Sequence, residues 1–241
     1  MRKIGMSVLL FILMAVFTLA GNDAVAQYDS LQISRRAMSY DLARSIMVDD
    51  FISPDEISAS FGFIYTERQL SHFVDTLPSE ETLRWAKAYG YAVVAGPPAP
   101  VNIAILHAFH PKFFISSFDG EKKGWYLDQP FAKNDQVSSN WLIIKKEPLT
   151  ESLDKYWIDQ AALLSGNESV PNAAEMSWFM ISFYKVRHRR LLKEGYTRTS
   201  SLVSNGNHVI IGFFGDNGML LHSYWDMYDG RTIGIVPKLL Y

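Results

Sequence analysis

The sequence predicts an α+β protein, and three observations carry that reading. Short helices between Asp50 and Gly90 announce themselves by their caps. A long, mostly apolar helix opens at Asn172. After Gly195 the apolar period changes from about 3.6 to about 2, with Asn-Gly turns between the runs.

The elements follow in order. Arg2 and Lys3, the apolar run Ile4 to Ala20 and the small-residue site Ala24-Val25-Ala26 read as a cleaved secretory leader over residues 1–26. Residues 27–50 form a lead-in segment of mixed character, a poorly ordered stretch or a loosely docked helix. Residues 51–98 form a helical part. In it Ser53-Pro54-Asp55-Glu56, Thr66-Glu67-Arg68-Gln69 and Ser79-Glu80-Glu81 each open a helix, and Gly90 closes the third. Tyr91 to Ala95 reads as a buried strand. Gly96-Pro97-Pro98-Ala99-Pro100 is the candidate seam before an α+β part over residues 99–241. There, Val101 to Phe109 suggests a short helix. Lys112 to Phe118 and Gly124 to Leu127 suggest strands around Asp119-Gly120. Asn140 to Lys146 is a strand, and Ser152 caps a helix reaching about Leu164. Asn172 and Glu175 form a capping box for the longest helix, whose first half is apolar all round and should be buried. Four strands close the chain as an antiparallel meander: Tyr196 to Val203, Asn207 to Phe214, Met219 to Trp225 and Arg231 to Pro237.

Composition excludes several classes. There is no cysteine, hence no thiol nucleophile, disulfide or thiolate metal site. The 23 basic and 25 acidic side chains fall to 21 and 24 without Arg2, Lys3 and Asp23. That balance gives no electrostatic reason to bind nucleic acid. After leader removal no segment is apolar enough to span a membrane. The expected location is outside the cytoplasm, periplasmic or secreted.

Candidate chemistry is sparse. Thr199-Ser200-Ser201 could supply a nucleophile, but no helix follows on a sharp turn, so it reads as a strand with Thr199 and Ser201 on one face. His107 and His110, three residues apart, could share a helix face and a metal, but that needs a third ligand, and His110 precedes Pro111, where helices usually end. Ser152-Leu153-Asp154-Lys155 matches S-x-x-K only by letters. The basic run Lys185 to Arg190 could meet an anion or simply end a helix. The segment Ser223 to Arg231 is different. Tyr224, Trp225 and Tyr228 lie beside Asp226, Asp229 and Arg231 between two strands. Rings that stack and charges that orient are what sugar or protein recognition uses. The competing reading makes Trp225 a core residue and the rest an ordinary polar hairpin.

"VPNAAEMSWF", "RTSS", "NHVIIGFFGDNGML" and "TIGIVPK" come in an order that resembles formylglycine-generating-enzyme-like and related bacterial lectin-like domains. The resemblance covers roughly the last 100 residues. It implies a C-type-lectin-like fold: two helices, then a twisted antiparallel sheet presenting a variable loop. The stretch from Asn140 is also similar to exported bacterial proteins of unknown function. The cysteines of the oxygen-dependent enzymes are absent. So are the E-P-N or Q-P-D loop and W-N-D strand of calcium-dependent lectins, since Glu147-Pro148-Leu149 precedes both helices. Neither activity carries over.

The expectation is therefore an α+β chain in which short N-terminal helices pack on a lectin-like part. Its expected function is binding a glycan or protein ligand without catalysis, metal or cofactor. The ligand face comprises Tyr224, Trp225, Asp226, Tyr228, Asp229 and Arg231, helped by Arg198 and His208. The alternatives are a glycan or cell-wall hydrolase using Asp226, Asp229 or Glu175, and a structural component of an envelope assembly.

Overall fold

A computed structural model describes residues 30–115 and 124–240. The leader expected over residues 1–26 and the turn at Asp119-Gly120 lie outside them. The described residues divide into two units, 30–42 in one and 43–240 in the other. In the first, residues 30–42 are helical, and this helix, α1, continues to residue 47. Most of the expected lead-in is thus helix.

In the second unit the caps do what their chemistry implies. Helices α2 (Pro54–Phe61) and α3 (Glu67–Asp75) carry complete capping boxes from Ser53/Glu56 and Thr66/Gln69. Ser79 accepts from the Thr82 N–H to open α4 (Glu80–Ala88). Gly90, at φ 78°, supplies the left-handed turn after it. Helices α5 (Ile103–Phe109), α6 (Phe131–Asn134), α7 (Trp157–Ala161) and α8 (Ala173–Arg187) follow.

Two mixed sheets complete an α+β fold. In the first, β1 (Phe51–Ile52), β2 (Tyr91–Ala95), β3 (Trp141–Lys145), β9 (Lys238–Leu239) and β4 (Glu168–Ser169) lie in that order. Strand β2 pairs antiparallel with β3 across the Gly96 to Pro100 break, so one sheet draws on residues from both sides of Pro98. The second sheet has the order β7 (Gly218–Tyr224), β6 (His208–Gly215), β5 (Tyr196–Leu202), β8 (Ile233–Ile235).

Four expectations are corrected. The last strand does not extend the meander: β8 crosses to the far edge and pairs parallel with β5, while Lys238 and Leu239 join the other sheet. Neither expected strand beside Asp119-Gly120 forms in the described residues: Pro111–Phe113 and Trp125–Asp128 are 3-10 turns, with only an isolated bridge from Phe114 to Met219. Ser152 does not cap a long helix. Its hydroxyl donates to the Leu149 carbonyl and accepts from Ile235 N–H at 2.9 Å, tying a 3-10 turn to β8. The following helix, α7, starts only at Trp157. And α8, at 15 residues, is shorter than α1.

Helix α8 explains the arrangement. Ten of its first eleven residues are buried, and it touches strands of both sheets. A helix apolar on every side can only be an interior layer. Trp178 is fully buried, stacks on Phe61 at 4.8 Å and donates its indole N–H to the Ala95 carbonyl at 3.0 Å. At its N-terminus the Ala173 N–H reaches Ser201 Oγ at 2.8 Å. At its C-terminus Arg187 binds Glu56 at 2.7 Å and the carbonyls of Asp49 and Phe51.

Trp178→Phe should cost about 1–3 kcal/mol in urea unfolding, because Ala95 is left with a buried, unmet carbonyl. Trp178→Ala should cost about 3–5 kcal/mol by adding a cavity. A Phe variant as stable as wild type would remove the hydrogen bond from the core's energetics.

Candidate functional site

Strand β5 alternates as its pleat requires. Thr197, Thr199 and Ser201 share one buried face, and each hydroxyl has a structural partner. Thr197 Oγ1 accepts from Val236 N–H at 2.9 Å, Thr199 Oγ1 donates to the Val209 carbonyl at 2.9 Å, and Ser201 Oγ donates to Asp135. The strand reading of this run holds. Arg198 points to the opposite face and is wholly buried.

That burial corrects its expected role: with no exposed surface, Arg198 cannot touch a ligand. Its guanidinium instead holds the loop that follows β7. Nη1 donates to Gln160 Oε1 at 2.6 Å and to the Lys155 carbonyl at 3.4 Å. Nη2 donates to the carbonyls of Trp225 (3.4 Å) and Tyr228. Gln160, also fully buried, passes its amide to the carbonyls of Ser152 (2.7 Å) and Ile233 (2.9 Å). Burial pulls the guanidinium below the usual arginine range, while the Asp226 carboxylate works the other way.

His208, at the start of β6, is the second support. It is 8% exposed, its ring stacks on Trp157 at 3.9 Å, and Nδ1 meets Asp226 Oδ1 at 2.6 Å. The Trp157 N–H closes the arrangement by donating to the Asp226 carbonyl at 2.8 Å. The loop is thus fixed at the carbonyls of three of its residues and at one side chain. A Cβ at Gly230 would run into the exposed Tyr228 ring, so a larger residue there would make that ring shift.

On this frame the aromatic residues lie outward. Tyr224 and Tyr228 stack at 4.4 Å, and His222 stacks on Tyr224 at 4.8 Å. Trp225 is 64% exposed and Met227 74%. Trp225 is therefore not a core residue. Asp229 is exposed. Arg231 lines a different concavity, described below. Of the eight expected residues, the structure gathers Tyr224, Trp225, Asp226 and Tyr228 above Arg198 and His208. Sequence reasoning missed Trp157 and Gln160, which come from a distant helix with no local signal. It also missed His222, which a two-residue step back from Tyr224 along the same strand face would have found.

The rival catalytic carboxylate is committed elsewhere. Glu175 Oε2 accepts the Asn172 N–H, and both its oxygens lie 2.9 Å from Lys238 Nζ. His107 packs its ring near Phe114 and Tyr126, and His110 near Phe61 and Phe113. Among the described residues no group of three or more His, Asp or Glu could hold a metal, and no helix is long and apolar enough to cross a membrane. No protein-family model, curated protein or solved structure matches this chain.

A double-mutant cycle over His208→Ala and Asp226→Ala should return a coupling of about 0.5–1 kcal/mol in thermal unfolding. Strict additivity would show that the pair does not hold the loop.

Proposed function

We propose that this chain is an exported, non-catalytic recognition module whose ligand face is the Trp225 loop. One observation carries the reading: two large apolar side chains, Trp225 and Met227, stand exposed on a loop whose main chain is tied down from beneath. Exposed apolar surface costs solubility and is normally kept small unless it serves contact. A tied loop loses little entropy on binding, so most of the contact energy is retained as affinity. The stacked Tyr224 and Tyr228 rings extend the face, and Asp229 offers a carboxylate to hydroxyl or amide donors. The ligand class this suits is a glycan, with the indole against a sugar's apolar face, or an apolar protein side chain in the same place.

The lectin-like scaffold belongs to the same reading. The order α7, α8, three antiparallel strands and an exposed loop supports it. The hydrolase alternative retains only Asp226 and Asp229, because Glu175 is engaged by Asn172 and Lys238.

On a panel of bacterial cell-wall fragments and glycans, the full chain should bind at least one member. Trp225→Ala should weaken that binding at least about tenfold, roughly 1.4 kcal/mol, with an unchanged melting temperature. Equal binding by Trp225→Ala combined with Tyr228→Ala would refute the site. Turnover of any panel member would refute the non-catalytic reading.

A further inference from the structure

A sizeable concavity lies away from the Trp225 loop. It measures about 460 Å³ and lies where residues 189–195 run past Arg231 and Thr232. That volume is far larger than the roughly 30 Å³ of one water and falls in the range of small-molecule sites. The seven consecutive residues 189–195 all line it. Leu191 and Leu192 are buried and anchor the loop, which leaves Arg189 and Lys193 exposed at its rim.

The charge is uneven. Five cations border the cleft against two carboxylates, Glu147 and Glu194, in a chain whose net charge is −2. Two of the cations are already matched: Lys146 with Asp50 at 2.8 Å and Arg190 with Asp216 at 2.8 Å. Arg187, from the same basic run, is taken by Glu56. Arg189, Lys193 and Arg231 have no acidic partner among the described residues. They come from two segments far apart in sequence, so their convergence is a product of the fold. The main-chain N–H groups of residues 189–195 add a second observation. None donates a hydrogen bond to any described residue, so these donors are uncommitted.

We propose that this cleft is an anion site for a ligand carrying phosphate or sulfate groups. Two guanidinium forks and an ammonium can meet several oxygens at once, which suits a tetrahedral oxyanion better than a single halide. Uncommitted main-chain N–H groups in the same loop are the kind of donor that anion-binding concavities use. Glu147 and Glu194 keep the surplus local, so the site suits a compact ligand and not an extended polyanion. The site draws on none of the Trp225 contacts and stands apart from the recognition reading.

The test is calorimetric titration of the full chain with sodium pyrophosphate, inorganic phosphate, sulfate and citrate, each matched in ionic strength with sodium chloride. Pyrophosphate should bind saturably, and the Arg189→Gln, Lys193→Gln, Arg231→Gln triple variant should lose at least about tenfold in affinity at unchanged melting temperature. All three side chains are exposed, so the variant should fold. Lys133→Gln, an exposed cation elsewhere, should bind as wild type. The phosphate and sulfate arms tell which group the site prefers. Heats no larger than those of chloride, a triple variant that binds like wild type, or citrate binding more tightly than both tetrahedral anions would each overturn the proposal.

Discussion

A guanidinium buried in the middle of a β-strand is the constraint on which the Trp225 loop depends. Taking such a charge out of water is costly unless its donors are met. The two terminal nitrogens of Arg198 are met mostly by main-chain carbonyls, two of which belong to the loop between β7 and β8, while Nε has no partner. The need to satisfy the charge therefore dictates where Trp225 and Tyr228 place their backbone. The planar fork of arginine suits this, because it serves several acceptors at fixed angles. Gln160 extends the same network to β8, so strand, helix and loop are tied by one set of hydrogen bonds.

The position of that loop follows from the topology. Had β8 continued the meander, Ser223 to Arg231 would have been a hairpin joining neighbouring strands. Instead β8 pairs with β5, and the loop must cross the end of the sheet to reach it. The crossing carries it over Arg198 on β5 and beside His208 on β6. Helix α8 holds the other side of the assembly, with Trp178 bonded to one sheet and Ala173 to the other. An interior helix and a buried guanidinium whose two terminal nitrogens are both hydrogen-bonded hold the loop from beneath, although Arg198 Nε itself is left without a partner.

Local chemistry was legible from the chain alone. Ser53, Thr66, Ser79 and Asn172 cap the helices their sequence patterns imply. The period-two runs after Gly195 became β5, β6 and β7, and the all-apolar half of α8 became an interior helix. What escaped was non-local. Pairing β8 with β5 rather than β7 depends on a crossing that no turn residue announces. Ser152 looks like a cap because cap letters are cheap, whereas its hydroxyl serves β8, 83 residues away. Arg198 looked like a ligand contact because charge suggests exposure. Only the fold reveals that Gln160 and two loop carbonyls make its burial tolerable. The aromatic loop itself was readable, since Trp225, Tyr224 and Tyr228 are clustered in sequence as well as in space.

The most direct measurement is amide hydrogen exchange across Trp225 to Gly230 in Arg198→Met and Arg198→Lys. The Tyr228 amide, which donates to the Trp225 carbonyl at 3.1 Å, is the reporter. Loss of the clamp should raise its exchange by at least about tenfold relative to β6 amides in the same molecule, the size expected when a few loop hydrogen bonds are removed. Lysine, lacking the fork, should restore little of the protection. If the loop exchanges no faster than wild type in both variants while the rest of the sheet is loosened, Arg198 stabilises the core alone and the loop is held by something else.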